Sequence, residues 1–150
     1  MLSFGIMVLP PERSEEIIAK GRDVMGFWTY MLMMALLLPF TLLVFGIYFY
    51  KRAPKNINVV FGYRTSRSMK NMNTWRFAHH YCGRIWIVSG GVSLPLSILS
   101  MLLVIDKGEN TIGYVGALWL FLPLILIVIS IILTEKALKK KFDKLGQPKI

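Results

Sequence analysis

His79, His80 and Cys82 are the residue types in this chain that most invite metal or nucleophilic chemistry. Their spacing works against both. Neighbouring side chains on a helix point about 100° apart, so His79 and His80 do not readily chelate one ion. Cys82, three residues past His79, is the one further ligand at useful spacing. A His79–Cys82 nucleophilic pair lacks a third group to orient the base and lacks an oxyanion device. No glycine-rich phosphate loop, HExxH or GxSxG pattern occurs. A single cysteine also excludes an intramolecular disulfide. The expectation is a protein that is not an enzyme and takes no metal or cofactor.

A denser constellation precedes these residues. The connector that runs on to Arg84 has an entry, Pro54–Phe61, which should be extended, and Gly62 is the expected bend because glycine takes positive φ without cost. The Arg64 guanidinium is available to grip a phosphate or carboxylate through two hydrogen bonds. Ser68 and Asn71, or Asn73, can cap a helix N-terminus, and from Thr74 a helix should run on. Trp75, His79, Cys82 and Trp86 then share one face, while Phe77, Tyr81 and Arg84 occupy others. Two readings are open. An amphipathic helix with Trp on one side and Arg on another suits a membrane interface. Alternatively, Gly62, Arg64, Thr65, Ser68, Asn71 and Trp75 form a recognition surface.

The elements that position these residues are apolar. The chain has 150 residues, 55% of them hydrophobic, and a mean hydropathy of +0.54. Phe27–Tyr50, Ile85–Ile105 and Thr111–Thr134 carry no charge. About 20 helical residues cross a hydrocarbon core, and backbone in lipid must satisfy its own hydrogen bonds. The weak period-2 alternation argues against barrel strands. The expected fold class is therefore an all-α integral membrane protein, with transmembrane helices over about 27–50, 84–105 and 112–133 and an interfacial amphipathic helix before the second span. The expected organisation is a polar head (1–24), a three-span unit (25–134) containing the basic loop 51–84, and a basic tail (135–150). Spans two and three must form an antiparallel hairpin.

Charge sets the expected topology. Lys51 to Arg84 holds eight bases and no acid, and the formal net charge of the chain is +10. Basic residues in short loops are retained on the cytoplasmic side, so the N-terminus should lie outside and the loop and tail in the cytoplasm. A basic juxtamembrane loop meets anionic headgroups, here through Lys51, Arg52, Lys55, Arg67, Lys70, Arg76 and Arg84, and no direct contact with nucleic acid is expected. No ionisable side chain lies within a span, which disfavours ion or proton-coupled transport by one copy. Each span holds a proline (Pro39, Pro95, Pro123). Ser89, Ser93 and Ser97, with Gly90 and Gly91, form a row of small residues suited to close helix packing, the alternative being a ligand groove.

Met1–Leu9 is apolar but too short to span, and it lacks a basic n-region and a small-residue cleavage site, so a signal peptide is not expected. Met25 directly precedes the first span. Two readings stay open for residues 1–24: a native head of which Pro11–Val24 is a short polar helix, or a native start at Met25.

The ordered run Phe61-Gly62-Tyr63-Arg64-Thr65, Ser68, Lys70-Asn71, Thr74-Trp75, Ala78-His79 and Gly83-Arg84 resembles the signature of the SdpI family. These are bacterial membrane proteins named for the immunity protein against the sporulation-delaying peptide toxin. The match covers Lys51 to about Gly91, and Met25-Gly26-Phe27-Trp28 is similar to the way the family begins. By residue, the resemblance carries over Asn56 or Asn58, Gly62, Arg64, Thr65, Ser68, Asn71, Trp75, His79 and Gly83 as ligand- or partner-binding positions. It implies a multi-pass protein of the bacterial plasma membrane that protects its producer from a membrane-active peptide toxin by non-covalent binding. It also implies a small winged-helix repressor as partner, although the founding member has extra spans ahead of the motif. A lipid-binding assembly partner and a homodimeric channel or transporter remain the alternatives.

Overall fold

The computed structural model describes residues 10–149. The expectations for Met1–Leu9 lie outside the described residues. The described residues form three helices: α1 (Pro11–Lys51), α2 (Met72–Leu102) and α3 (Glu109–Lys141). Each is long and apolar enough to cross a membrane. The all-α, three-span expectation therefore holds.

Local chemistry sets the helix ends. α1 opens with Pro11 in its first turn, where a missing N–H costs nothing. It closes where the Arg52 N–H donates to the Tyr48 carbonyl at 2.7 Å. α1 is one helix, so Pro11–Val24 is continuous with the first span instead of standing apart from it. At about 60 Å it is twice as long as the hydrocarbon core needs. α2 starts at an Asn71–Thr74 capping box and runs on through the apolar segment, so the helix expected before span two is its first three turns. It ends at Leu102, and residues 103–107 turn tightly into α3. α3 carries Lys139, Lys140 and Lys141 in its last turn, where cations meet the negative end of the helix dipole.

Glycine decides how closely α1 and α2 pack. A Cβ on Gly46 would lie 2.7 Å from the Ile87 nitrogen, one on Gly83 2.7 Å from the Tyr50 nitrogen, and one on Gly90 2.7 Å from the Leu43 nitrogen. Gly83, Gly90 and Ser97 recur every seven residues along α2. The small row thus serves packing: Ser93 and Ser97 are buried, whereas Gly91 faces open space.

Indole N–H groups tie the helices crosswise. Trp28 of α1 donates to the Met101 carbonyl of α2 at 2.7 Å, and Trp86 of α2 donates to the Ser130 hydroxyl of α3 at 2.8 Å. Trp119 of α3 donates to the Ser100 hydroxyl of α2. No water competes for such bonds inside a bilayer, although each contributes only about 0.6 kcal/mol. Two apolar clusters mark the two ends of the bundle. Trp28, Ala35, Met101, Ile112 and Trp119 form one, beside the α2–α3 turn. Tyr63, Ala78, Cys82, Leu138 and Phe142 form the other, beneath the long connector and the tail. The outer faces stay apolar and exposed, as at Leu37, Val88 and Phe121, which is the surface lipid would cover.

Gly46→Ala and Gly83→Ala should each destabilise the bundle by about 1–3 kcal/mol, read as a lower melting temperature in detergent. Gly91→Ala should leave the melting temperature unchanged.

Candidate functional site

The connector is built around the His79 imidazole. Its Nε2 accepts the Tyr63 backbone N–H at 2.8 Å, so that nitrogen carries no proton. Its Nδ1 therefore donates to the Trp75 carbonyl, also at 2.8 Å. The ring is fully buried between Trp75 and Phe49, with centroids 4.3 and 5.0 Å away. Gly62 has φ +118°, and a Cβ there would run into His79 Nε2 and lie 3.3 Å from the Trp75 ring. Glycine is needed at this bend for its backbone and for the space.

Beyond the bend the chain folds into a knot of side chain-to-backbone bonds. Ser68 Oγ accepts the Thr65 N–H at 2.9 Å and donates to the Tyr63 carbonyl at 2.8 Å. Thr74 Oγ1 lies 3.1 Å from the Ser68 carbonyl and accepts the Asn71 N–H at 3.1 Å. Asn71 Oδ1 accepts the N–H groups of Asn73 and Thr74, both at 3.0 Å. Upstream, Asn58 Oδ1 accepts the Val60 and Phe61 N–H groups at 3.1 and 2.7 Å, shaping the entry. Trp75 Nε1 donates to the Pro54 carbonyl at 3.0 Å and holds the entry against α2.

Two anchors come from far along the chain. Glu135 of α3 accepts the Thr65 hydroxyl at 2.6 Å and the Tyr63 phenol at 3.3 Å, and pairs with Arg67 at 3.6 Å. Burial and the Glu135 carboxylate push the Tyr63 phenol well above its ordinary pKa, so it stays a donor. The tail turns back at Gly146, whose φ is +83° and whose carbonyl accepts from Asn71 Nδ2 at 2.8 Å. Sequence reasoning placed Tyr63 in the motif without a role and did not single out Glu135 or Gly146. Glu135 had a signal, being the first charge after an uncharged run that ends at Thr134.

The structure thus sorts the motif residues. Ser68, Trp75, His79 and Gly83 are buried, and Gly62, Thr65 and Asn71 are half-buried and engaged. The interface reading for Trp75 is corrected, because its ring is 0% exposed. Apart from Arg64, the expected recognition surface is an internal lock, because its hydroxyl, amide and indole groups bond to backbone and to Glu135. Both His79 nitrogens are taken, and His80 turns away to stack on Tyr50, 4.2 Å between centroids, which splits the His79–His80 pair. Cys82 is buried with its sulfur 4.0 Å from the Ser130 hydroxyl.

Arg64 is the exception. Its side chain is exposed, and among the described residues it makes no hydrogen bond or ion pair. It stands at the rim of an apolar groove of about 470 Å³ between the connector and all three helices. Leu38, Leu42, Phe45, Phe61, Ile127 and Ile131 line that groove. The arrangement suits an amphiphile whose apolar body fills the groove and whose anionic group meets the guanidinium.

Among known proteins, the family model described as the SdpI/YfhL protein family matches residues 55–134. The "Uncharacterized protein YfhL" of Bacillus subtilis (strain 168) is 38% identical over 98 residues, which cover 65% of this chain and 79% of that protein. No solved structure matches.

Glu135→Gln keeps an acceptor for Thr65 and Tyr63 and should leave the loop intact. Glu135→Leu should speed amide exchange over Tyr63–Ser68 about tenfold, since a lost hydrogen bond to a charged group is worth about 1.5 kcal/mol or more. Mass spectrometry of hydrogen exchange reads both.

Proposed function

The chain belongs to the SdpI/YfhL protein family, and from that premise we propose that it is a membrane immunity protein of the bacterial plasma membrane. It protects by holding a membrane-active peptide non-covalently. The observation that carries this reading is the unengaged Arg64 at the mouth of the apolar groove. The rest of the motif is occupied in fixing the loop, and Arg64 is the residue the lock presents. A membrane-active peptide has an apolar face for the groove and a carboxylate, at its C-terminus or on an acidic side chain, for the guanidinium.

On this reading the N-terminal end of α1 lies outside, and the loop and tail face the cytoplasm. Fourteen of the eighteen Lys and Arg residues, but two of the eight acids, belong to the loop, the first turns of α2 and the tail. Such an imbalance keeps an end cytoplasmic. The role is one of binding, with no bond made or broken.

Expression in a sensitive bacterium should raise tolerance to an amphipathic peptide toxin. Arg64→Ala should reduce that tolerance about tenfold or more at unchanged protein level, the effect of losing a charge-assisted hydrogen bond. Trp75→Ala should instead lower the amount of folded protein, because a buried aromatic side chain lost from a core costs about 3–5 kcal/mol. Equal sensitivity with and without the protein would sink the proposal.

A further inference from the structure

The expected headgroup-binding residues do not form one diffuse belt. Lys51, Arg52, Lys55 and Arg76 line a single concavity of about 980 Å³ at the motif end of the bundle, and Lys141 of α3 joins them. Arg67 is paired with Glu135 instead, and Arg84 lines a separate hollow with Tyr81 and Ile85. Among the described residues, no acid lines the large concavity. Five cations converge there from α1, the connector, α2 and α3.

The walls are built. The Trp75–Pro54 bond fixes the stretch that carries Lys55. The Lys141 ammonium sits 4.6 Å over the Phe77 ring, and both residues line the space. His80 lies 3.1 Å from the Tyr50 carbonyl through Nδ1 and stacks on the Tyr50 ring, closing one side. Like charges lining one concavity repel, and an anion between them relieves the repulsion; a single phosphate monoanion is a poor match for five. The concavity also sits where the apolar run of α1 stops at Tyr50 and charge begins at Lys51. That is the depth of lipid phosphates, with acyl chains lying beside α1.

We infer that this concavity is a binding site for the headgroup of an anionic phospholipid carrying two phosphates. The inference stands apart from the peptide-binding groove, which shares only Phe49 with it. Basic pockets between membrane helices select such headgroups through convergent Lys and Arg, each worth about 1 kcal/mol.

The test is native mass spectrometry of the full chain in neutral detergent. It is titrated with diphosphatidylglycerol, phosphatidylglycerol, phosphatidylcholine or inorganic pyrophosphate. One equivalent of diphosphatidylglycerol should bind, at least fivefold more tightly than phosphatidylglycerol, with phosphatidylcholine and pyrophosphate weaker still. Arg76→Gln and Lys141→Gln should each weaken that binding about fivefold, and Arg84→Gln should leave it unchanged. Melting temperatures without added lipid check that the exposed-site variants stay folded. An equal effect of all three substitutions would mean diffuse attraction and would overturn the site. So would pyrophosphate binding as tightly as the lipid, which would point to a soluble anion, or the absence of any preference for two phosphates over one.

Discussion

One imidazole holds the motif end together. With Nε2 accepting from the connector and Nδ1 donating to its own helix, His79 is a two-sided clamp between a loop and a span. The clamp works only for the neutral ring, and burial between two aromatic neighbours suits the neutral form. It also dictates its surroundings. Position 62 must be glycine because the ring occupies the space where a side chain would go. Tyr63, once its backbone is fixed, reaches the Ile131 carbonyl and Glu135 on α3. Gly62, Tyr63 and Trp75 of the motif thus meet this ring directly.

Much of the fold was legible in the sequence, and for a physical reason. Spans announce themselves by length without charge, because lipid tolerates nothing else, and those runs lie within α1, α2 and α3, apart from the last three residues of the second. The Asn71 cap was legible because capping is local: its partners are two and three residues away. The same locality explains what was missed. Glu135 and Gly146 bond to the loop across 70 and 75 residues, and no periodicity within a segment reports such a contact. The inward turn of Trp75, His79 and Cys82 was hidden as well. A face shared by four residues says that they point together without saying where. Which way they point depends on α1 arriving at Gly83, and that is a property of the pair of helices.

The two apolar clusters divide the bundle by chemistry. Near the α2–α3 turn, the helices are joined by indole N–H bonds and tightly packed apolar side chains. At the motif end, hydroxyl, amide and carboxylate groups take over, and apolar packing serves to enclose them. Polar groups in such a site must be satisfied by one another, and among the described residues no buried side-chain nitrogen or oxygen is left without a partner. A fully satisfied network of this kind specifies one arrangement of the loop. The rigidity it gives is what lets one arginine stand clear at a defined position.

The reach of Glu135 bears on the order in which the chain is made. A membrane protein is synthesised from its N-terminus, so the connector is complete long before α3 exists. Until α3 is present, the Tyr63 phenol and the Thr65 hydroxyl lack the Glu135 acceptor, and Asn71 has no tail to hold. The clamp on His79 can close as soon as α2 is in place, but the second fastening waits for the last span and the turn at Gly146. The loop's fastenings therefore fall into two sets, one made with α2 and one that needs α3 and the tail. A chain cut short before α3 would keep the motif intact in sequence and leave it half-fastened.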